Sequence, residues 1–185
     1  DQNDLGAGPS AHPDIAKVTF TGSTATGRKV MQGDAATLKR LTLELGGNDA
    51  AILLDDVDIA DVAPKIFAAA TLNAGQVCMA AKRIYVPRAK YDAMCDALAS
   101  LANEAVVGDG HDPQTTIGPM QNRMQFDKVL DLIEDSRQRG TIIAGGERMG
   151  RPGFFIPPTI VRDLPDDARL VQEEQFGPVI PVMAY

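Results

Sequence analysis

Cys78 is the residue of this sequence whose surroundings suit covalent chemistry best. It follows Gly75 and Gln76 at the end of an alanine-rich helical pattern, where backbone N–H groups can hold a bound oxygen or sulfur. A thiolate at such a place can act as a nucleophile. Most isolated free cysteines are buried small hydrophobes, and Cys95, on the apolar face of an amphipathic helical pattern, fits that description. The small Gly75 and the polar Gln76 distinguish Cys78 from it.

Glu44 is a second candidate, because it interrupts an apolar strand pattern between Leu43 and Leu45, directly before two glycines. Ligands of α/β proteins bind at the carboxyl ends of strands. Apolar neighbours there would desolvate the carboxylate and raise its pKa, so that it could accept a proton from water near neutral pH. A strand residue that faces solvent explains the same pattern equally well.

Two other segments could hold a flat, charged ligand. Gly22 and Ser23 begin a tight turn from a strand into a helix, and helix N-terminal amides favour an anion such as a pyrophosphate. The turn lacks the full G-x-G-x-x-G fingerprint, and an ordinary turn is an equal alternative. Glu174 lies two residues before Phe176 and a Gly-Pro turn, which suits a hydroxyl-binding carboxylate beside a ring. Taken alone, that segment is more simply a capped loop with a core phenylalanine.

Short β-branched runs alternate with helical patterns, which predicts an α/β fold. Strands are predicted at 15–20, 41–45, 50–54, 83–87, 141–144, 159–161 and 179–182, with another apolar run at 154–156. One helix is predicted after Ser23 and another after Asp58 or Asp61, either of which can cap it. Two further helices are predicted over 91–102 and from Phe126 to Gly140, where the glycine ends the helix. This order predicts an open, mostly parallel sheet in three layers, with helices on both faces.

Composition excludes several kinds of partner. The 185 residues carry a formal net charge of -7 with no Lys/Arg run, so we expect no nucleic acid and no membrane surface as a partner. No apolar stretch reaches the roughly 18 residues of a membrane span, and two cysteines make no disulfide framework. A soluble, cytoplasmic protein is the expectation. His12 and His111 have no second ligand at metal spacing, so no metal is expected, and nothing local supports either one as a base for Cys78.

Taken in order, four motifs resemble those of the aldehyde dehydrogenase superfamily. They are FTGS at 20–23, LELGG at 43–47, NxGQxCxAxxR at 73–83 and ExFGP at 174–178. The resemblance extends over essentially the whole chain, which would make up less than half of a typical member. We therefore expect an internal section of a longer enzyme. Many members continue the two glycines with Lys-Ser-Pro, whereas this chain has Asn-Asp-Ala.

The resemblance implies a division of the chain and a role for each candidate residue. Residues 1–46 would be the C-terminal part of a Rossmann-like NAD(P)-binding domain, and residues 47–185 a catalytic domain that is incomplete at its C-terminus. Cys78 would be the nucleophile that forms a thioester, and Glu44 the general base that activates water to release the acid. The implied contacts to NAD or NADP come from the motif residues Gly22, Ser23, Leu45, Glu174 and Phe176.

The resemblance further implies a small-molecule aldehyde as substrate and a homodimer or homotetramer as the full-length enzyme. Two alternatives stay open. In a CoA-acylating dehydrogenase, CoA would take the acyl group in place of water, and Glu44 argues against that mechanism. The 185 residues could also be an inactive structural fragment that lacks much of the cofactor site. The motifs distinguish neither NAD from NADP nor one aldehyde from another.

Overall fold

The computed structural model describes residues 4–185, which divide into two compact units between Gly47 and Asn48. The sequence places its boundary one residue earlier. The assignment of the two parts as a cofactor domain and a catalytic domain stays a prediction.

The first unit is built around a strand-helix-strand motif. It contains helix α1 (Asp4–Ala11), strand β1 (Lys17–Thr21), helix α2 (Thr24–Asp34) and strand β2 (Arg40–Glu44). Strands β1 and β2 pair in parallel, with Thr21 opposite Glu44, so both strands end at the same edge. Helix α1 has no helical sequence pattern, because it contains two glycines and one proline, and it is absent from the predicted elements.

The second unit contains a five-stranded sheet. Its elements in chain order are β3 (Ala50–Ile52), α3 (Ile59–Thr71), β4 (Arg83–Val86), α4 (Tyr91–Glu104), α5 (Arg123–Arg139), β5 (Thr141–Ala144), β6 (Thr159–Arg162), α6 (Arg169–Gln172) and β7 (Val179–Ala184). The strand order is β3-β4-β7-β6-β5, and every pair is parallel except β5 with β6. The predicted mostly parallel sheet is confirmed.

Alternate residues of the central strands face two separate cores. Ile160 and Ile180 pack with side chains of α3 and α4, whereas Val161 and Val179 pack with side chains of α5. This period of two requires helices on both faces of the sheet, because both sets of side chains are fully buried. The three-layer arrangement that the sequence predicts is therefore present. None of the helices within residues 4–185 is long and apolar enough to cross a membrane.

Tertiary packing determines the local structure of residues 154–156 and of Gly140. The apolar run at 154–156 forms no strand; Phe154 lies beside Phe126 with ring centroids 5.6 Å apart, and Ile156 is buried in the same core. Helix α5 ends before Gly140 as predicted, but that glycine is extended, with φ -144°. Its missing Cβ makes room for the Arg162 carbonyl oxygen, which would lie 2.7 Å from that atom.

Asp58 caps helix α3, the helix that leads to Cys78, by accepting a hydrogen bond from the Ala60 amide at 2.9 Å. We expect Asp58→Ala to lower the free energy of unfolding by about 1 kcal/mol, since an amide of the first turn loses its acceptor. Urea unfolding measures the change. Asp56→Ala removes the same charge from an exposed turn position and is the control. Equal effects of the two variants would contradict a capping role.

Candidate active site

Three of the predicted residues lie together at the carboxyl edge of the first unit. The Gly22 amide donates a hydrogen bond to the Glu44 carbonyl oxygen at 3.0 Å. Ser23 is the N-cap of α2, and its Oγ accepts a hydrogen bond from the Thr26 amide at 3.2 Å. The cap leaves the other amides of the first turn available to an anion.

Leu45 packs against the same helix. A Cβ on Gly27 would lie 2.6 Å from Leu45 Cδ2, so only glycine at that position lets the leucine approach α2 this closely. Glu44 itself is exposed. The apolar burial considered for it from its leucine neighbours is therefore absent, because Leu43 and Leu45 point away from the carboxylate and are only partly buried.

Cys78 ends a tight segment, residues 72–78, that we call the nucleophile loop after the role that the sequence predicts for Cys78. After α3, the residues Asn73, Ala74 and Gly75 have φ of 52°, 56° and 71° in succession. Such left-handed backbone is costly for asparagine and alanine, so the surrounding contacts must hold it in place. The loop carries Cys78 to an exposed position, whereas Cys95 is buried and its burial raises the pKa of that thiol to about 11.

Gln76 fixes the nucleophile loop from the inside. Its amide nitrogen donates to the carbonyl oxygens of Asn73 at 3.0 Å and Pro119 at 3.2 Å. Its amide oxygen accepts from the Gln121 backbone N–H at 2.8 Å. The sequence suggested that Gln76 places polar atoms next to the Cys78 thiol. In the structure the side chain is instead buried and fully used in holding backbone.

Glu174 and Phe176 lie in a second segment, the 174–177 loop, whose four successive carbonyl oxygens each accept a hydrogen bond from a side chain. Lys128 donates to Glu174 O at 2.7 Å, and Gln125 donates to the carbonyl oxygens of residue 175 at 2.7 Å and Phe176 at 3.1 Å. Phe176 has φ 50°, which these bonds hold in place. The Glu174 and Phe176 side chains both remain partly exposed.

Lys82 joins the two loops. Its Nζ donates to the carbonyl oxygens of Gly75 and of Gly177, the latter at 3.2 Å. The side chain is only 1% exposed, and burial lowers the pKa of Lys82 to about 8 against the opposing effect of the Glu174 carboxylate. A Cβ on Gly75 would lie 2.4 Å from Gly177 O, so the two backbones are in direct contact.

Both loops precede neighbouring parallel strands, because the nucleophile loop leads toward β4 and the 174–177 loop into β7, and Ile84 pairs with Val182. The structure thus brings Cys78 to the same edge of the sheet as Glu174 and Phe176. Sequence reasoning missed Lys82, which looks like one half of a solvated Lys-Arg pair before a strand. Its seven-residue separation from Gly75 carries no periodic signal that would indicate burial.

The sequence model of the aldehyde dehydrogenase family matches residues 1–185. Together with the fold, this match shows that the chain belongs to the aldehyde dehydrogenase family. A probable aldehyde dehydrogenase from a Pseudomonas species is 49% identical over 185 residues, covering 99% of this chain and 38% of that protein. A betaine aldehyde dehydrogenase from Vibrio vulnificus is 40% identical over 181 residues, 95% of this chain and 37% of its own length.

Solved structures agree with the fold. An aldehyde dehydrogenase from Bacillus cereus superposes with a TM-score of 0.95 at 40% identity, covering 98% of this chain and 37% of its own. Aldehyde dehydrogenase C from Pseudomonas syringae, a mutant in complex with NAD+ and octanal, gives 0.96 at 36% identity, covering 100% and 39%. This chain therefore spans somewhat over a third of the length of these relatives.

The Asn-Asp-Ala segment at 48–50, where many members have Lys-Ser-Pro, holds the neighbouring backbone in place through hydrogen bonds. The Asn48 side-chain amide donates to Val171 O at 2.8 Å, and Asn48 O accepts from Arg83 Nε at 2.7 Å. The carbonyl oxygen of Asp49 accepts from the amides of Lys82 and Arg83 at 2.9 and 3.0 Å. These bonds fix the backbone of Lys82 and with it the reach of its ammonium group.

Gly75→Ala tests whether the close contact between the two loops requires a glycine at position 75. We expect a loss of about 3 kcal/mol in the free energy of unfolding, because a Cβ there combines unfavourable positive φ with a backbone overlap. Gly118→Ala, where a Cβ would meet nothing within 4 Å, is the control and should change stability little. Chemical denaturation measures the free energy of unfolding of both variants. Equal losses in the two would contradict a special requirement for glycine at position 75.

Proposed function

We propose that the full-length enzyme containing this chain oxidises an aldehyde to a carboxylic acid with NAD or NADP as hydride acceptor, and that Cys78 is its nucleophile. The single observation that supports this most is the exposed Cys78 at the end of a loop that is fixed against the 174–177 loop. Membership of the family supports the reaction class.

Cys78 supports covalent catalysis by both its thiol and its backbone. The thiolate adds to the aldehyde carbon, a sulfur–carbon bond forms, and the carbonyl oxygen becomes an oxyanion. Among residues 4–185, no carbonyl oxygen accepts a hydrogen bond from the Cys78 amide. That N–H is therefore available to stabilise the oxyanion. Loss of hydride from the tetrahedral carbon leaves a thioester on Cys78.

The residues on this chain suit a dinucleotide. The capped N-terminus of α2 offers amides to a pyrophosphate, the partly exposed Glu174 carboxylate can accept hydrogen bonds from a ribose, and the Phe176 ring can pack beside a nicotinamide. When bound, NAD or NADP supplies the hydride acceptor. Four donated hydrogen bonds fix the 174–177 loop, so that Glu174 and Phe176 can hold their part of the cofactor in place.

Glu44 is the proposed base of the second half of the reaction. An exposed carboxylate at a strand end can take a proton from water, which then attacks the thioester carbon and releases the acid and the Cys78 thiolate. The substrate is a small-molecule aldehyde. A homodimeric or homotetrameric assembly and a cytoplasmic location belong to the same proposal.

Cys78→Ala in the full-length enzyme should abolish formation of NADH or NADPH, because no other group would hold the acyl carbon. Cys95→Ala is the matched control: it removes the second, fully buried thiol and should leave the rate within a few-fold of wild type. Absorbance of the reduced cofactor at saturating aldehyde measures both. Retained turnover in the Cys78 variant would reject the proposed nucleophile.

Glu44→Gln should slow steady-state turnover by about a hundredfold, the ordinary contribution of a general base, while a first burst of reduced cofactor equal to the enzyme concentration persists. Rapid mixing separates the burst from the steady rate. Loss of both together would contradict a role confined to hydrolysis.

If the wild-type product with CoA present were an acyl-CoA and not the free acid, the CoA-acylating alternative would hold.

A further inference from the structure

We propose that Lys82 is a positioning residue that couples the nucleophile loop to the 174–177 loop, so that a cofactor bound at one loop changes the reactivity of Cys78 on the other. This inference rests on the function proposed above and adds a residue to it. The role of Lys82 is indirect, because its ammonium contacts backbone and neither substrate nor cofactor.

The geometry makes the two loops dependent on each other. Lys82 donates to the carbonyl oxygen of Gly75, three residues before Cys78, and to that of Gly177, one residue after Phe176. The side chain is 1% exposed, so water cannot replace a carbonyl that moves away. A buried ammonium that loses a partner is strongly disfavoured. A displacement of either loop therefore costs free energy, and this cost is smaller when the other loop moves with it.

Direct backbone contact adds to the same effect. The position that a Cβ of Gly75 would take is 2.4 Å from Gly177 O and 2.7 Å from Lys82 Nζ. Rearrangement of either loop must change this contact as well. Since the left-handed residues before Cys78 are held only by their surroundings, a change there would alter the exposure and the amide direction of Cys78.

Other donors hold one loop each and offer a matched comparison. Gln76 ties the nucleophile loop to residues 119 and 121. Lys128 is, like Lys82, a lysine that donates to a backbone carbonyl. It lies on helix α5 and donates to Glu174 O, on the 174–177 loop. Removing Lys128 should weaken cofactor binding, whereas removing Lys82 should break the link between binding and thiol reactivity.

The test measures alkylation of Cys78 by iodoacetamide in the full-length enzyme, with and without saturating NAD, or NADP if that cofactor supports turnover. Peptide mass spectrometry follows Cys78, with the buried Cys95 as internal reference. In wild type we expect the cofactor to change the Cys78 rate about fivefold or more, the ordinary range of a coupled pair of sites. In Lys82→Met, which keeps the volume but no donor, the change should vanish at saturation.

Lys128→Met is the control: it should need more cofactor to saturate and then show the wild-type change. The inference is wrong if Lys82→Met keeps the full change, if Lys128→Met loses it equally, or if wild type shows none. Should the methionine variant fail to fold, Lys82→Gln has too short a side chain to reach both carbonyls, and a full-sized change in it would be equally contradictory. Failure of the proposed function appears separately, as turnover retained by Cys78→Ala.

Discussion

The two loops of the candidate site in the second unit depend on one buried ammonium group. Lys82 fixes the carbonyl of Gly75 on one side and that of Gly177 on the other, and its own backbone is fixed in turn through Asp49. Burial of a lysine is expensive, as its lowered pKa of about 8 reflects. The cost is tolerable because two carbonyl dipoles and the Glu174 carboxylate face the charge, and because the glycines allow the loops to approach.

Side-chain hydrogen-bond donors hold the strained backbone of both loops in place. The left-handed backbone of Asn73 and Ala74 is unfavourable by itself, and so is the positive φ of Phe176. Gln76, Gln125 and the two lysines donate to the carbonyls of both strained segments, and they convert flexible loops into fixed surfaces. A nucleophile and its binding loop gain from such rigidity, since little reorganisation is left for the moment of reaction.

The sequence carries most of the fold, since period-two strands and apolar helix faces are local patterns. The order of strands and helices predicts helices on both faces of the sheet, and Asp58 is one of the two caps predicted for the helix that follows β3. Glu44 and Cys78 are candidates on their local surroundings and on the motifs that contain them, and their roles stay predictions. Lys82 could not, because its burial depends on carbonyls seven and 95 residues away. The apolar run at 154–156 does not reveal its own structure, because burial in a core and pairing in a sheet demand the same residue types.

The proposed function depends on the covalent role of Cys78, which intact-protein and peptide mass spectrometry test most directly. The full-length enzyme with Glu44→Gln is mixed with aldehyde and cofactor and quenched in acid within the first turnover. The account predicts a mass increase equal to the acyl group on the peptide that contains Cys78, with Cys95 unmodified. Formation of reduced cofactor with no adduct on Cys78, or with the acyl group on another residue, would contradict it.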